Sequence, residues 1–533
     1  MMPGGAPRRR RVRRLAASLL ALAFNAGLAA VAAADDRAAV ESVAARVALL
    51  LERNDLQSAR AAIDEALAAH PRDPRLHNYA GIIEAQRGAA ERAETHFRTA
   101  IDQAPDWPAA YENLGRLYLE HAGTLPDAVD RALEVYVRLL AIDAGNPEAL
   151  YQRGFLLALR GSFGESYDLV KRLPEELRRR PNVLALVAID RAGVGDEAAA
   201  AVAVDTLGRH PEFDPDDVRA LMPVFSHVSK SDVPAQLLQT LDRRGMASAA
   251  DLQALGRLHA EAGRFAEARD VLERSAAAGA TVPLLLELAR TAVKLGDHKG
   301  ALGYLAHARA LEPDHPRVHF LFGMVCVELE LGAEAYESLK KAVDLAPDDP
   351  MVNYAMGAVS MTRREPREAV PYLEKYVRLA PDDIRGRLAL GAAHFYGHDF
   401  GAARPHLERA AKDEKTAAGA HYFLARIARQ SHDLETARRE VDAALRANPG
   451  LADAWAELGL LQTRAGEYAE AERSLARALE IDPEHYLAIV NLAALFTRTR
   501  DPRRDAQAAR LEAVQEKRAL RAQDFLRAIE VVP

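Results

Sequence analysis

The sequence predicts an all-α protein: an α-α superhelical solenoid of about fourteen 34-residue helix-turn-helix repeats with a C-terminal capping helix. Three observations lead there. The first is spacing: Gly323, Gly357 and Gly391 stand 34 residues apart, as do Ala335, Ala369 and Ala403, and Pro313, Pro347 and Pro381. The second is composition, with 49% apolar and only 6% aromatic residues. The apolar share leans on Ala and Leu, which favour helices, rather than on the β-branched residues that favour strands. The third is length. At 533 residues the chain is too long for one ordinary core, so it is several domains or an array.

Taken in order, the chain opens on an address. Residues 1–14 carry six Arg and no acid, residues 15–34 are almost wholly apolar, and Ala32-Ala33-Ala34 precede Asp35 and Asp36. This is the basic, apolar, small-residue order of a secretory signal. A run of about 20 apolar residues also suffices for an uncleaved anchor. Residues 1–34 are therefore expected to be a signal peptide or an N-terminal anchor. Either way the body is exported, to the periplasm or cell envelope, and the uncleaved segment would be its one membrane contact.

The repeat units follow, with starts expected at residues 40, 74, 108, 147, 181, 215, 249, 282, 316, 350, 384, 418, 452 and 486. Residues 40–180 form the N-terminal units. The unit at 108 carries extra residues near Gly123–Asp127. Residues 181–248 form two degenerate units, marked by Phe213, Pro215, Met222, Pro223, Phe225 and Pro234. They are either drifted repeats or a break in the array. Residues 249–504 form the C-terminal units, and residues 505–533 a charged capping helix and tail.

Each unit reads as two amphipathic helices. In the unit at 452 these are about Ala452–Ala465 and Tyr468–Ile481, with Gly466 between them as a left-handed C-cap. Gly161, Gly263 and Gly296 mark similar breaks. Gly459 and Ala471 are small so that paired helices approach closely, Ala478 does the same toward the next unit, and Pro483 stops the second helix. A lone unit cannot bury its apolar face, so neighbours stack into a continuous core.

With Trp455, Leu458, Gly459, Ala471, Ala478 and Pro483 in place, the pattern resembles the tetratricopeptide repeat family, over nearly everything after residue 39. The resemblance implies protein-binding scaffolds that hold partners in a groove lined by first helices, with positions 2, 5, 9 and 12 facing it. Counting from 316, 350, 384 and 418 gives Phe320, Met324, Val327, Met351, Tyr354, Ala358, Met361, Leu388, Ala392, Phe395 and Tyr422, then Arg426 and Arg429. Arg317 and Arg385 interrupt the apolar set. Such a stripe is either a docking groove, with Arg426 and Arg429 holding an acidic end of the partner, or core buried by the winding of the array.

Candidate chemistry is sparse. No zinc-protease, nucleophile-elbow, P-loop or dinucleotide signature occurs, and no enzymatic activity or cofactor is expected. His394 and His398, with His406 nearby, and the pair His315 and His319, have chelate spacing, but packing and turn roles are the reading adopted for them. Cys326, the single cysteine, is expected to be a buried inert thiol. Removing the six N-terminal Arg from 70 basic residues leaves 64 against 77 acids, a net of −13, so no nucleic-acid partner is expected. The resemblance also implies a carboxylate-gripping chaperone co-factor as an alternative. Asn113 and Asn491 match that mode but stand isolated, so its clamp is incomplete. A regulatory repeat subunit of a glycan-modifying or polysaccharide-export complex is a further alternative. The expectation carried forward is a non-enzymatic scaffold or adaptor of the bacterial cell envelope.

Overall fold

The computed structural model describes residues 34–121, 127–228 and 230–520. Residues 1–33 of the expected signal segment, all of the expected insertion near Gly123–Asp127 except Asp127, and the tail beyond 520 lie outside them. No helix among the described residues is long and apolar enough to cross a membrane.

Proline sets the register of the first helices. Pro74, Pro108, Pro147, Pro181, Pro215, Pro316 and Pro350 each open one, at the unit start read from the sequence. The ring fixes φ near the helical value and the missing N–H falls where no acceptor exists. Asp73, Asn146, Asp214 and Asp349 precede four of these prolines and accept a hydrogen bond from an N–H of the first turn. The remaining units begin at Ala249, Val282, Ile384, Ala417, Ala452 and Tyr486, and of these only the helix from Val282 has a proline in its opening turn, Pro283. The helix of the unit at 40 spans Ala34–Glu52 and so starts ahead of the unit.

The small residues act where two helices of a unit cross. A Cβ on Gly323, Gly357, Gly391 or Gly459 would lie 2.6, 2.6, 2.6 and 2.5 Å from Leu339, Leu373, Leu407 and Leu475, each on the second helix of the same unit. Ala335, Ala369, Ala403, Ala437, Ala471 and Ala478 are fully buried. Among the described residues the turn between the helices uses one backbone state. Position 15 has positive φ in Gly88, Gly161, Gly195, Gly263, Gly296 and Gly466, and also in Asn54, Glu330, Arg364, His398, His432 and Arg500.

Position 4 carries a joint that sequence reading did not find. His77 Nε2, Tyr111 Oη, His319 Nε2, Asn353 Nδ2 and Trp455 Nε1 each donate to the carbonyl of the proline six residues earlier, at 2.7–3.1 Å. That proline follows the preceding second helix. The bond therefore pins the link between units and satisfies a carbonyl left over where the helix stopped. His319 has this role, while His398 sits in the left-handed turn and His394 stacks on His406 with ring centroids 5.9 Å apart.

The middle of the chain departs from the pattern. In the unit at 147 the second helix covers only Phe163–Val170, and a short turn of helix, Glu175–Arg178, follows Pro174. In the unit at 215 the first helix is replaced by Pro215–Arg219 and a 3₁₀ helix, Met222–Val228, which contains Pro223. Phe213, Val224, Phe225, Val228 and Pro234 are buried, so the unusual residues fill the core that a continuous helix would have supplied. Arg219 clamps the segment to buried Asp251 through Nε at 3.1 Å and Nη2 at 2.7 Å.

The chain divides into two compact units between Leu258 and His259. Within each, a second helix packs on its own first helix and on the next one. Successive first helices also touch, as Pro74–Gln86 touches Pro108–Glu120 and Ile384–Tyr396 touches Ala417–Gln430. Second helices touch each other comparably only in the irregular middle, where Glu197–Arg209 meets Val233–Arg243. The first helices therefore form the inner, more crowded layer.

Candidate partner-binding groove

The groove positions lie on this inner layer in the second compact unit, and the structure sorts them into a buried set and a half-buried set. Phe320, Met324, Val327, Met351 and Leu388 are half-buried. The first three pack beside Cys326, Ala355, Met356 and Val359 and keep their outer sides accessible. Tyr354, Ala358, Met361, Ala392, Phe395 and Tyr422 are buried. Tyr354 lies with its ring centroid 4.8 Å from that of Tyr376 on a second helix, and Met361 joins Leu373, Ala389 and Leu390. The stripe is thus a floor of core side chains bearing a rim of half-open ones. Cys326 is 1% exposed, and burial pushes its thiol up to about 11, so it is a packed hydrophobe.

The charged members differ from one another. Arg385 is engaged by Asp383, the N-cap of its own helix, at 3.0 Å through Nε and 2.7 Å through Nη2. Hydrogen bonding from Arg385 holds the Asp383 carboxyl down at about 2. Arg429 donates through Nε to Glu457, and both side chains are nearly sealed, at 13% and 5% exposed. The expectation that Arg429 grips an acidic partner is therefore corrected, because its carboxylate is already supplied from the next first helix.

Arg426 has a different setting. Its guanidinium carbon lies 4.6 Å from the ring centre of Phe395, 5.4 Å from Tyr422 and 5.7 Å from Tyr396. Nη1 donates to the Tyr422 hydroxyl at 3.2 Å and lies 3.5 Å from that of Tyr396. Nε is buried without an acceptor. Among the described residues no carboxylate forms an ion pair with it. Phe423 completes the wall, 5.4 Å from Phe395 and 5.8 Å from Tyr396 between centroids. Leu388 packs on the same aromatic cluster. Burial raises the Tyr422 hydroxyl well above its ordinary range, so it stays a neutral donor and acceptor.

The two asparagines singled out in the sequence are engaged internally. Asn113 donates to Asn78 Oδ1 at 2.9 Å, and Asn491 reaches the Ala456 carbonyl at 3.4 Å. Among the described residues no three His, Cys, Asp or Glu side chains converge as metal ligands would.

Two family models, each described as a tetratricopeptide repeat, match this chain. One matches residues 44–108, 91–147, 388–452 and 424–486, and the other residues 292–359; together they cover just over half of it. The chain belongs to the tetratricopeptide repeat family. As a tetratricopeptide-repeat chain it is a protein-interaction scaffold. A relative, the cellulose synthase 2 operon protein C of Komagataeibacter xylinus, is 30% identical over 276 residues. The match covers 48% of this tetratricopeptide-repeat chain and 19% of that protein's own length. Similar solved structures include the MamA protein at 20% identity (31% of this chain, 92% of that one, TM-score 0.29). Yeast Tom70 matches at 15% identity (86% and 99%, TM-score 0.35). The type IV pilus biogenesis factor PilW matches at 20% identity (40% and 98%, TM-score 0.35).

Proposed function

We propose that this tetratricopeptide-repeat chain is an exported adaptor of the bacterial cell envelope. It holds a segment of a partner protein along its first helices, between Phe320 and Arg426. One observation carries the docking part of this reading. Phe320, Met324, Val327, Met351 and Leu388 stand half-open on the inner layer over a floor that is already packed. Apolar side chains left half-exposed across successive repeats gain by meeting an apolar face. Met and aromatics suit a helical or extended segment.

The envelope part is supported by the N-terminal order of six Arg, an apolar run and Ala32-Ala33-Ala34. The relative named for a cellulose synthase operon points to an assembly that makes or exports polysaccharide as the setting. N-terminal sequencing of the mature protein is expected to read from Asp35 or close to it, and an intact Met1 form found only in the cytosol sinks the export reading.

For docking, the decisive variant replaces Phe320, Met324 and Leu388 by Asp. These positions are half-open, so helicity and melting temperature are expected to hold while the envelope partner retained by the wild type is lost. A control with Asp at Leu311, Leu379 and Leu434, exposed residues on second helices, is expected to retain it. Equal retention by both variants rules the inner face out.

A further inference from the structure

We propose that the cage around Arg426 is the specificity subsite of this groove and takes a Glu or Asp side chain of the partner segment, flanked by apolar residues. The inference rests on the docking reading above.

Its basis is a charge left without its counterpart. The neighbouring arginines Arg385 and Arg429 each meet a carboxylate of the array, Asp383 at the cap of the same helix and Glu457 on the next first helix. Arg426 forms no ion pair among the described residues, although it is largely removed from water and lies against three rings. A guanidinium stripped of water without a carboxylate is costly, and the unpartnered Nε deepens that cost. The rings and the Tyr422 hydroxyl return part of it and fix the plane of the fork. Nη1 is engaged by tyrosine hydroxyls, while Nη2 makes no hydrogen bond among the described residues. Nη2 is therefore the open donor, held in a set plane, and a charged donor so fixed is what carboxylate recognition uses.

The surroundings narrow the ligand. Leu388, half-buried on the same aromatic cluster, gives apolar contact beside a short acidic side chain. Glu457 is close enough for its charge to act on Arg426. Arg429 already holds that carboxylate, so Glu457 acts on Arg426 from a distance and forms no ion pair with it.

The test uses the full chain and two fluorescein-labelled, amide-capped hexapeptides, Leu-Phe-Glu-Leu-Phe-Gly and its Gln counterpart, read by anisotropy. The wild type is expected to bind the Glu peptide about tenfold tighter than the Gln peptide at low salt, with the preference shrinking as ionic strength rises. Arg426→Gln is expected to lower Glu-peptide affinity to that of the Gln peptide and to leave the Gln peptide unchanged. Arg426→Lys, which keeps the charge but loses the fork and guards against loss of fold, is expected to retain only part of the preference. Equal binding of both peptides by the wild type overturns the subsite and leaves the groove standing. Binding of both that survives Asp at Phe320, Met324 and Leu388 overturns the groove reading itself. Absence of binding by either peptide overturns the subsite for acidic-apolar segments.

Discussion

Asp190 has no part in the groove, yet it is the most perturbed carboxyl in the first compact unit. It is fully buried; Ser166 Oγ donates to its Oδ2 at 2.8 Å, and Oδ1 has no partner. Burial pushes it up to about 8, against smaller lowering effects from Ser166 and Arg191. Its folded value lies above its unfolded one, so the folded state holds the proton longer. Stability is then expected to fall as pH rises from about 4 toward about 8, and to level off beyond, by linkage. Asp190→Asn removes the titration while keeping the shape. It is expected to gain on the order of 1–4 kcal/mol at pH 8 and little near pH 5. Urea melts at the two values check this, and parallel pH dependence in wild type and variant contradicts it. No spacing rule announces such a residue. Asp190 lies within a helix read as degenerate, and its partner is 24 positions away. The same holds for Arg429, whose carboxylate is 28 positions off and in the next repeat. Arg426, Phe395 and Tyr422 are legible as groove positions, whereas the part played by Tyr396 and the difference between Arg426 and Arg429 arise from packing.

Among the elements, the inter-helix turn is the most uniform and the least uniformly sequenced. Glycine occupies its left-handed position in half of the described cases and L-residues with side chains in the rest. Arg364, with φ of 61°, is exposed, and its side chain forms no hydrogen bond or ion pair among the described residues. The left-handed state costs a residue with a Cβ about 1 kcal/mol relative to Gly, partly offset by the greater unfolded freedom of Gly. Arg364→Gly is expected to stabilise by about 0.5 kcal/mol, read as a higher denaturation midpoint at unchanged slope. A loss instead means that Arg364 has a role in the folded turn. The turns with Gly were legible because Gly161, Gly263, Gly296 and Gly466 mark them, and the others followed by counting. The broken first helix of the unit at 215 was not legible in form, since Pro223 forbids an ordinary helix there without specifying the 3₁₀ turn that replaces it.

Over the whole chain, legibility follows from repetition. A register supported at one position is weak, but small residues recurring at one step fix helix starts from Pro74 to Tyr486 to within a residue. The sequence could not decide between groove and core for the apolar stripe, because both need the same residues. The structure divides the stripe by depth, with Tyr354, Met361 and Phe395 below and Phe320, Met324 and Leu388 above.

The joint at position 4 behaves like a word with synonyms. Histidine, tyrosine, asparagine and tryptophan all spell one message, a donor aimed at the proline carbonyl behind it. Mutation can rewrite the letter while the meaning stays, so repeats joined this way drift apart in spelling long before they drift in grammar. A comparison of such chains that weighs identity alone will therefore understate their kinship. One that asks only whether position 4 can present an N–H or O–H to that carbonyl will still read them as the same text.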